Sequence, residues 1–565
     1  MANRGGFFIH RILDENFFDM VVNNSLSVPM ESDAGTTRLN DRYSVIHLPG
    51  SEFSMCGLGT YPYHTFPGIY TLNSNISLEQ SGINVVRNNP NLSLFGQGIL
   101  IGIVDTGIEY RHEAFLNPDG STRLFSIWDQ TITDGEPPAG FTFGTEYNKT
   151  MINMALRTQE PLAVVPSIDE LGHGTMLAGI AAGSRRETDN FSGVAPEAEL
   201  IVVKLPLAKQ LNRKIFSIPS DTVCYQESNI IIGIEYVLSI AQRLNRPLLI
   251  CIGMGSSQSS HDGLGLFAGT LNQLSALPRI GCCVAAGNEG NLSRHYHGTF
   301  TDQIMARTFE LRVGEKDKNF FMEIWQRSPS RLMIGISAPT GETFHAIMPG
   351  FSECREYKFL FNPTKIYINN IIVEEESGDQ LILIRFNDAV NGIWTIRVNN
   401  IETIAGDFNA WLPAGNIISK DTYFLEPDPD NTITSPGNAR NPMTVTAYNQ
   451  INNGILPESG RGYTTSGLVE PDIAAPGFAL SCPTIAGTNT YGSVTGTGAA
   501  AAHAAGAAAL LMEWAVLRGN YTTITGRDIN RLFIRGAIRD KAVVYPNNVW
   551  GYGRLDLMGV LSSLV

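Results

Sequence analysis

Continuous apolar runs at 98–104, 200–203, 248–252 and 280–286 set the rhythm of the chain. Each is rich in Ile, Leu and Val and is bounded by glycine, proline or a charged residue. That is the pattern of a strand buried on both faces of a parallel sheet. Helical patterns fill the intervals, notably at 174–182 and 229–243. Strand–helix alternation of this kind predicts an α/β fold with a doubly wound parallel sheet, whose sites form at the carboxyl ends of the strands. Between 304 and 430 the period changes to two, as at 319–325, 331–336, 381–386 and 392–398, with turn signals between the runs. This predicts an all-β sandwich inserted into the α/β domain, because 443–447 resumes the parallel style. Ahead of the sheet, 43–48 alternates on its own account. The stretch 61–72 carries prolines and glycines that hold it extended. The predicted organisation is a small α+β unit at 1–73, a first core part at 74–303, the β insert at 304–430 and a second core part at 431–565.

Composition narrows the partners more than the fold. With 43% hydrophobic and 17% charged residues, the chain is an ordered globular protein. A formal net charge of -14 argues against a nucleic-acid surface, which needs a basic stripe. The N-terminus, Met-Ala-Asn-Arg-Gly-Gly-Phe, has no apolar signal-peptide region, and no segment reads as a membrane span. The seven cysteines are odd in number, scattered and without metal-ligand spacing, so free buried thiols are expected and no metal or other cofactor is.

Four positions carry candidate chemistry. Asp105 closes the first apolar run in Val-Asp-Thr-Gly, where a carboxylate can orient a histidine. His173 sits between Gly172 and Gly174 at the start of a helical pattern, which leaves its imidazole uncovered as a base. Asn288 follows another apolar run in Ala-Ala-Gly-Asn-Glu-Gly. Its amide can donate to a developing oxyanion, a contribution of ~3 kcal/mol in enzymes that use one. The stretch 493–506, Ser-Val-Thr-Gly-Thr-Gly-Ala-Ala-Ala-Ala-His-Ala-Ala-Gly, runs from a Gly/Thr turn into a helix of small residues. Such a turn mounts a nucleophile at the positive end of a buried helix.

In this order and context the four motifs resemble the subtilisin-like (subtilase) serine proteases, over most of 74–303 and 431–565. The resemblance implies a triad of acid, base and nucleophile at Asp105, His173 and Gly498, with Asn288 in the oxyanion hole. The family's motif has serine where this chain has Gly498. Ser493, Thr495 and Thr497 are near in sequence, but a residue of offset at a turn redirects the side chain. The segments 117–123 and 126–130, with the β insert, resemble the Csp branch, germination proteases of spore-forming Clostridia. That branch combines a prodomain, a subtilase core and a jelly-roll insert. Its active members cut an inactive cortex hydrolase, and catalytically dead, CspC-like relatives act in germinant signalling.

The resemblance thus implies a pseudoprotease of the bacterial spore, in the cortex or coat region. Its prodomain 1–73 would stay uncut and bound in cis, with the tail near 69–73 in the substrate cleft. Other Csp proteins or a small-molecule germinant are the implied partners. The alternatives are an active serine endopeptidase, an engineered nucleophile knock-out, and a small-molecule sensor that inherits the fold.

Overall fold

The computed structural model describes residues 11–24, 35–52, 54, 61–72, 80–186, 191–351, 353–402 and 404–564. At the N-terminus, β1 (Phe17–Asn23), β2 (Thr36–Arg38) and β3 (Tyr43–Pro49) form a small antiparallel sheet with β3 in the middle. A strap beginning at Tyr61 leads into β4 (Ile69–Leu72), which leaves that sheet and joins the body of the protein.

The body is built on the predicted parallel sheet. The apolar runs become β5 (Leu100–Asp105), β8 (Glu199–Lys204), β10 (Leu248–Ile252) and β12 (Ile280–Ala285). Between them in sequence lie β6 (Leu124–Asp129), β7 (Thr145–Asn148), β9 (Tyr225–Gln226) and β11 (Met254–Gly255). β5 is central, with β8 and then β6 on one side and β10 and then β12 on the other, all parallel. The winding therefore reverses around β5, and a reversal of strand order opens a crevice at the carboxyl ends of the strands. Asp105 is the last residue of β5. Every residue of β5 is buried, and Gly102 within it has a structural cause. A Cβ there would lie 2.4 Å from Val237 Cγ1, so the helix Glu227–Leu244 packs against bare backbone.

The antiparallel insert starts earlier than predicted. The strand His295–Phe300 already belongs to its six-stranded sheet, ahead of the expected boundary at 304. Its sequence, His-Tyr-His-Gly-Thr-Phe, offers only two large apolar residues, Tyr296 and Phe300, which enter the insert's core, while His295 stacks on Trp411 and His297 is partly exposed. A five-stranded sheet lies in the same unit, and residues of both sheets share one apolar core around Phe320, Ile334, Phe386 and Trp394. After Tyr423–Phe424 the chain returns to the parallel sheet and adds Met443–Asn449 beside β12 and Ile473–Pro476 beyond it.

Two expectations need correction. Cys354 is disulfide-bonded, whereas Cys224, Cys251, Cys282, Cys283 and Cys482 are free and buried. Cys56 lies outside the described residues. The free-thiol expectation failed at Cys354 because chain spacing carries no record of which distant segments meet. In addition, the 21-residue helical stretch Thr497–Leu517 is apolar and long enough to cross a membrane by length and composition. It is instead a core helix, with 83% of its most apolar window buried inside the protein. Its small side chains let strands and helices pack on it from every side, including β10, β12 and the helix His173–Ala182.

Candidate active site

The structure brings Asp105 and His173 together. Asp105 Oδ1 lies 2.7 Å from His173 Nδ1 and also accepts a hydrogen bond from the Thr106 N–H at 2.8 Å. Both side chains are almost fully buried. The contact is made possible by a close approach of the helix His173–Ala182 to the turn after β5. A Cβ on Gly174 would stand 2.2 Å from the Gly107 carbonyl oxygen and 3.2 Å from Asp105 Cβ, so no other residue fits without moving the helix. Gly172, just before the helix, sits at φ +81°, in the left-handed region that glycine tolerates.

Neighbouring side chains hold that helix start. Asp169 accepts from the N–H groups of Leu171, Gly172 and Thr175 and from the Thr175 hydroxyl, all within 3.2 Å. Thr106 Oγ1 accepts from the Gly174 N–H at 2.9 Å. An acidic residue at this end of a helix also opposes the positive end of its dipole. Asp169 and Thr106 were not singled out in the sequence. The available signal was an aspartate placed shortly before a helix, as a capping residue is.

The second half of the site is the start of the helix Thr497–Met512. Gly498 is its second residue and is buried. Asn288 Oδ1 accepts from both the N–H and the hydroxyl of Thr497, each at 3.1 Å. The Thr497 hydroxyl in turn accepts from the Gly287 N–H at 3.1 Å. Thr497 is completely buried and its oxygen is committed to these two contacts, which removes it as a substitute nucleophile. Ser493 lies in the strand Tyr491–Val494 and Thr495 accepts from the Ala479 N–H, so both belong to the approach to the helix. Asn288 thus ties the turn after β12 to the start of the helix that carries Gly498.

The strap from the N-terminus ends between two strands of the body. β4 pairs antiparallel with β9 on one side, Ile69 opposite Gln226 and Tyr70 opposite Tyr225. On the other side it pairs with β11, Leu72 opposite Met254 and Thr71 opposite Gly255. The continuation through Asn73 lies outside the described residues.

Three buried carboxylates face the strap. Glu323, on the insert strand Phe320–Gln326, accepts from the Tyr63 hydroxyl at 2.5 Å, the Trp325 indole at 2.9 Å and the Ser259 N–H at 3.3 Å. Burial pushes Glu323 up to about 7 in spite of these donors. Glu374 lies 3.0 Å from His64 Nε2. Burial acts to lower His64, but the contact and charge of Glu374 outweigh it and raise the imidazole to about 8. Burial would raise Glu374, but His64 and Ser377 hold it down at about 2. Glu227 accepts from the Gly68 N–H at 3.1 Å.

Deeper in the N-terminal unit, Asp19 of β1 accepts from His47 at 2.6 Å, Lys209 at 2.7 Å and Gln226 at 2.8 Å. Burial opposes the Asp19 charge, and Lys209 and His47 outweigh it, leaving the carboxyl below its ordinary range.

Comparison with known proteins follows the same lines. The Subtilase family, Peptidase_S8, matches residues 96–310 and 399–553, and the break falls within the antiparallel insert. Subtilisin-like protease SBT3 of Solanum lycopersicum is 25% identical over 544 residues, covering 83% of this chain and 63% of that protein. Minor extracellular protease Vpr of Bacillus subtilis is 20% identical over 498 residues, covering 84% of this chain and 52% of that protein. The chain thus spans less than two thirds of the length of these relatives. The solved structure of the Clostridium perfringens CspB protease superposes with a TM-score of 0.75 at 29% identity, over 86% of this chain and 98% of that one. The paired Asp105 and His173 at the crevice of the parallel sheet and the helix opening at Gly498 lie within the matched residues, and the chain belongs to the subtilase family.

Proposed function

We propose that this chain is a pseudoprotease, a subtilase that keeps the acid, the base and the oxyanion donor but lacks the nucleophile. The observation that carries the reading is Gly498 at the second position of the helix Thr497–Met512, the place of the serine in the family's motif. In triad hydrolysis the serine oxygen attacks the carbonyl, the histidine takes its proton and the aspartate orients the histidine. A glycine offers no atom for that attack, and no acyl-enzyme forms at this position. Loss of the serine in subtilisin lowers turnover by roughly 10⁶, leaving only the contribution of binding and the oxyanion hole.

Self-cleavage in this family needs the same nucleophile, so residues 1–73 are proposed to stay joined to the body as a prodomain bound in cis. The pairing of β4 between β9 and β11 supports this, since it fills the two strands that a peptide substrate would extend. The likeness to the CspB protease supports a role in spore germination, as a regulator of an active Csp protease or a receptor for a small germinant. Two measurements on the purified full chain test the proposal. The expected results are an intact mass that retains residues 1–73 and no labelling by a fluorophosphonate probe. Labelling of the wild-type chain, or spontaneous loss of the N-terminal segment without added protease, would overturn it. The variant Gly498→Ser is expected to acquire labelling, because the pair Asp105–His173 is already made at 2.7 Å.

A further inference from the structure

A trough of about 1720 Å³ opens on the body of the protein, lined by residues of the N-terminal part of the sheet and of the helices packed on it. Asp105, His173, Asn288 and Gly498 are not among its lining residues. Its walls touch the two helices that open at the site, through Ile180 and His503. Its charge runs against that of the molecule. The chain as a whole carries -14, yet the trough is lined by Arg87, Arg123, Lys149, Arg185, Arg186 and Arg246, with Glu197 and Glu199 the acidic residues of its walls among the described residues. Glu199 is already shared between Lys149 at 2.6 Å and Arg246 at 2.5 Å.

At contact distance the deeper arginines are satisfied by neutral dipoles, while Glu197 and Glu199 act on Arg123 from further off. Arg123 is 5% exposed, and it donates to the carbonyls of Ala182 and Ala198 and to the Ser184 hydroxyl. Arg87 is 9% exposed and donates to the carbonyls of Gly193 and Val194 and to Ser192. Among the described residues no carboxylate forms a salt bridge with Arg87, Arg123 or Arg186. The Nε atoms of Arg87 and Arg186 are buried and have no hydrogen-bond partner. Burial lowers Arg87 and Arg123 only to about 10, so both remain charged at neutral pH. A desolvated charge satisfied by dipoles alone is costly, and an anion brought alongside relieves that cost.

We propose that this trough is a docking site for an acidic peptide segment of a partner protein. Its volume exceeds the roughly 300–1,000 Å³ of an ordinary small-molecule pocket, and six basic side chains line it, which suits an extended chain bearing several carboxylates. The site is independent of the nucleophile position, so it stands whether or not the chain proves catalytically inactive.

The test uses the purified full-length chain and a fluorescein-labelled decapeptide of alternating Glu and Gly, with a Gln/Gly decapeptide as control, read by fluorescence anisotropy. Binding of the Glu peptide alone is expected, weakening between about 50 mM and 300 mM salt as screening shortens the reach of the charges. The double variant Arg185→Gln/Arg186→Gln is expected to bind about tenfold more weakly. Arg355→Gln, an exposed arginine on the insert, is expected to bind as the wild type does. Thermal unfolding of each variant checks that it is folded, and Lys149→Gln, whose side chain is partly exposed, gives a second reading if the double variant is not. Equal binding of the Gln peptide overturns the proposal, as does unchanged affinity in folded variants of both kinds. Stabilisation by inorganic phosphate with no binding of the Glu peptide also overturns it, in favour of a small-anion site.

Discussion

Raising the pH should loosen the N-terminal strap, and the structure sets the size of the effect. Tyr63 and His64 face Glu323, Glu374, Glu227 and Glu376, so the relevant titrations are those of His64 and the carboxyls around it. Glu323 stands at about 7 in the folded protein against 4.5 for an ordinary carboxyl, because burial disfavours its charge. Its folded state prefers the proton, so its contribution is complete below pH 4.5 and is lost as the pH rises to 7. That difference is worth about 3 kcal/mol. His64 stands at about 8 against 6.5, so its pairing with Glu374 is complete below pH 6.5 and is lost as the pH rises through 8. This adds about 2 kcal/mol, counted once for the pair. Glu374, held at about 2, acts in the opposite direction, and its contribution is already complete above pH 4.5 and fails only in strong acid. From pH 4.5 to above 8 the strap should therefore lose at most about 5 kcal/mol of local stability, the full amount where opening exposes both Glu323 and His64 to water, which is a factor of at most roughly 10³–10⁴ in the equilibrium for opening. Hydrogen exchange of the β4 amides, corrected for the intrinsic pH dependence of exchange, reads this directly. Glu323→Gln cannot ionise and should abolish the change between pH 4.5 and 7 while leaving the His64 step. Protection that stays level from pH 5 to 9, or falls identically in the variant, would refute the reasoning.

Other substitutions follow from single contacts. Asp19→Ala leaves Lys209 charged and buried without its partner, which should cost about 3–5 kcal/mol and be seen as faster proteolysis of residues 17–49. Gly174→Ala places a methyl group 2.2 Å from the Gly107 carbonyl oxygen, and a loss of about 1–3 kcal/mol in chemical denaturation is expected. Introduced alongside Gly498→Ser, the same change should reduce the probe labelling gained by the serine, since it pushes the His173 helix away from Asp105.

The parallel sheet was legible because a strand covered on both faces must be apolar throughout, and β5, β8, β10 and β12 fall on the four runs. The positions of Asp105 and His173 were legible for a related reason, since a strand end and a glycine-flanked helix start are local features. What escaped were contacts between segments far apart in the chain. Asp19 meets Lys209 across 190 positions, and nothing near either residue announces the other. Cys354 was misjudged on the same ground. The insert's sheet starts ahead of 304 because the strand His295–Phe300 carries only Tyr296 and Phe300 as large apolar positions, too few to mark its alternation. Thr497 was weighed only as a spare hydroxyl, whereas its contacts with Asn288 and Gly287 make it the clasp between the two halves of the site.

The seating of β4 also fixes what an outside peptide must overcome. β9 and β11 are edges at which a free strand could add, and both are taken by a segment of the same molecule. A tethered strand acts at an effective concentration in the millimolar range. A peptide that would bind the empty edges at micromolar concentration then faces a competitor about a thousandfold in excess of its own dissociation constant. Conditions that slacken the Tyr63 and His64 contacts lower that threshold without altering a single residue of the cleft.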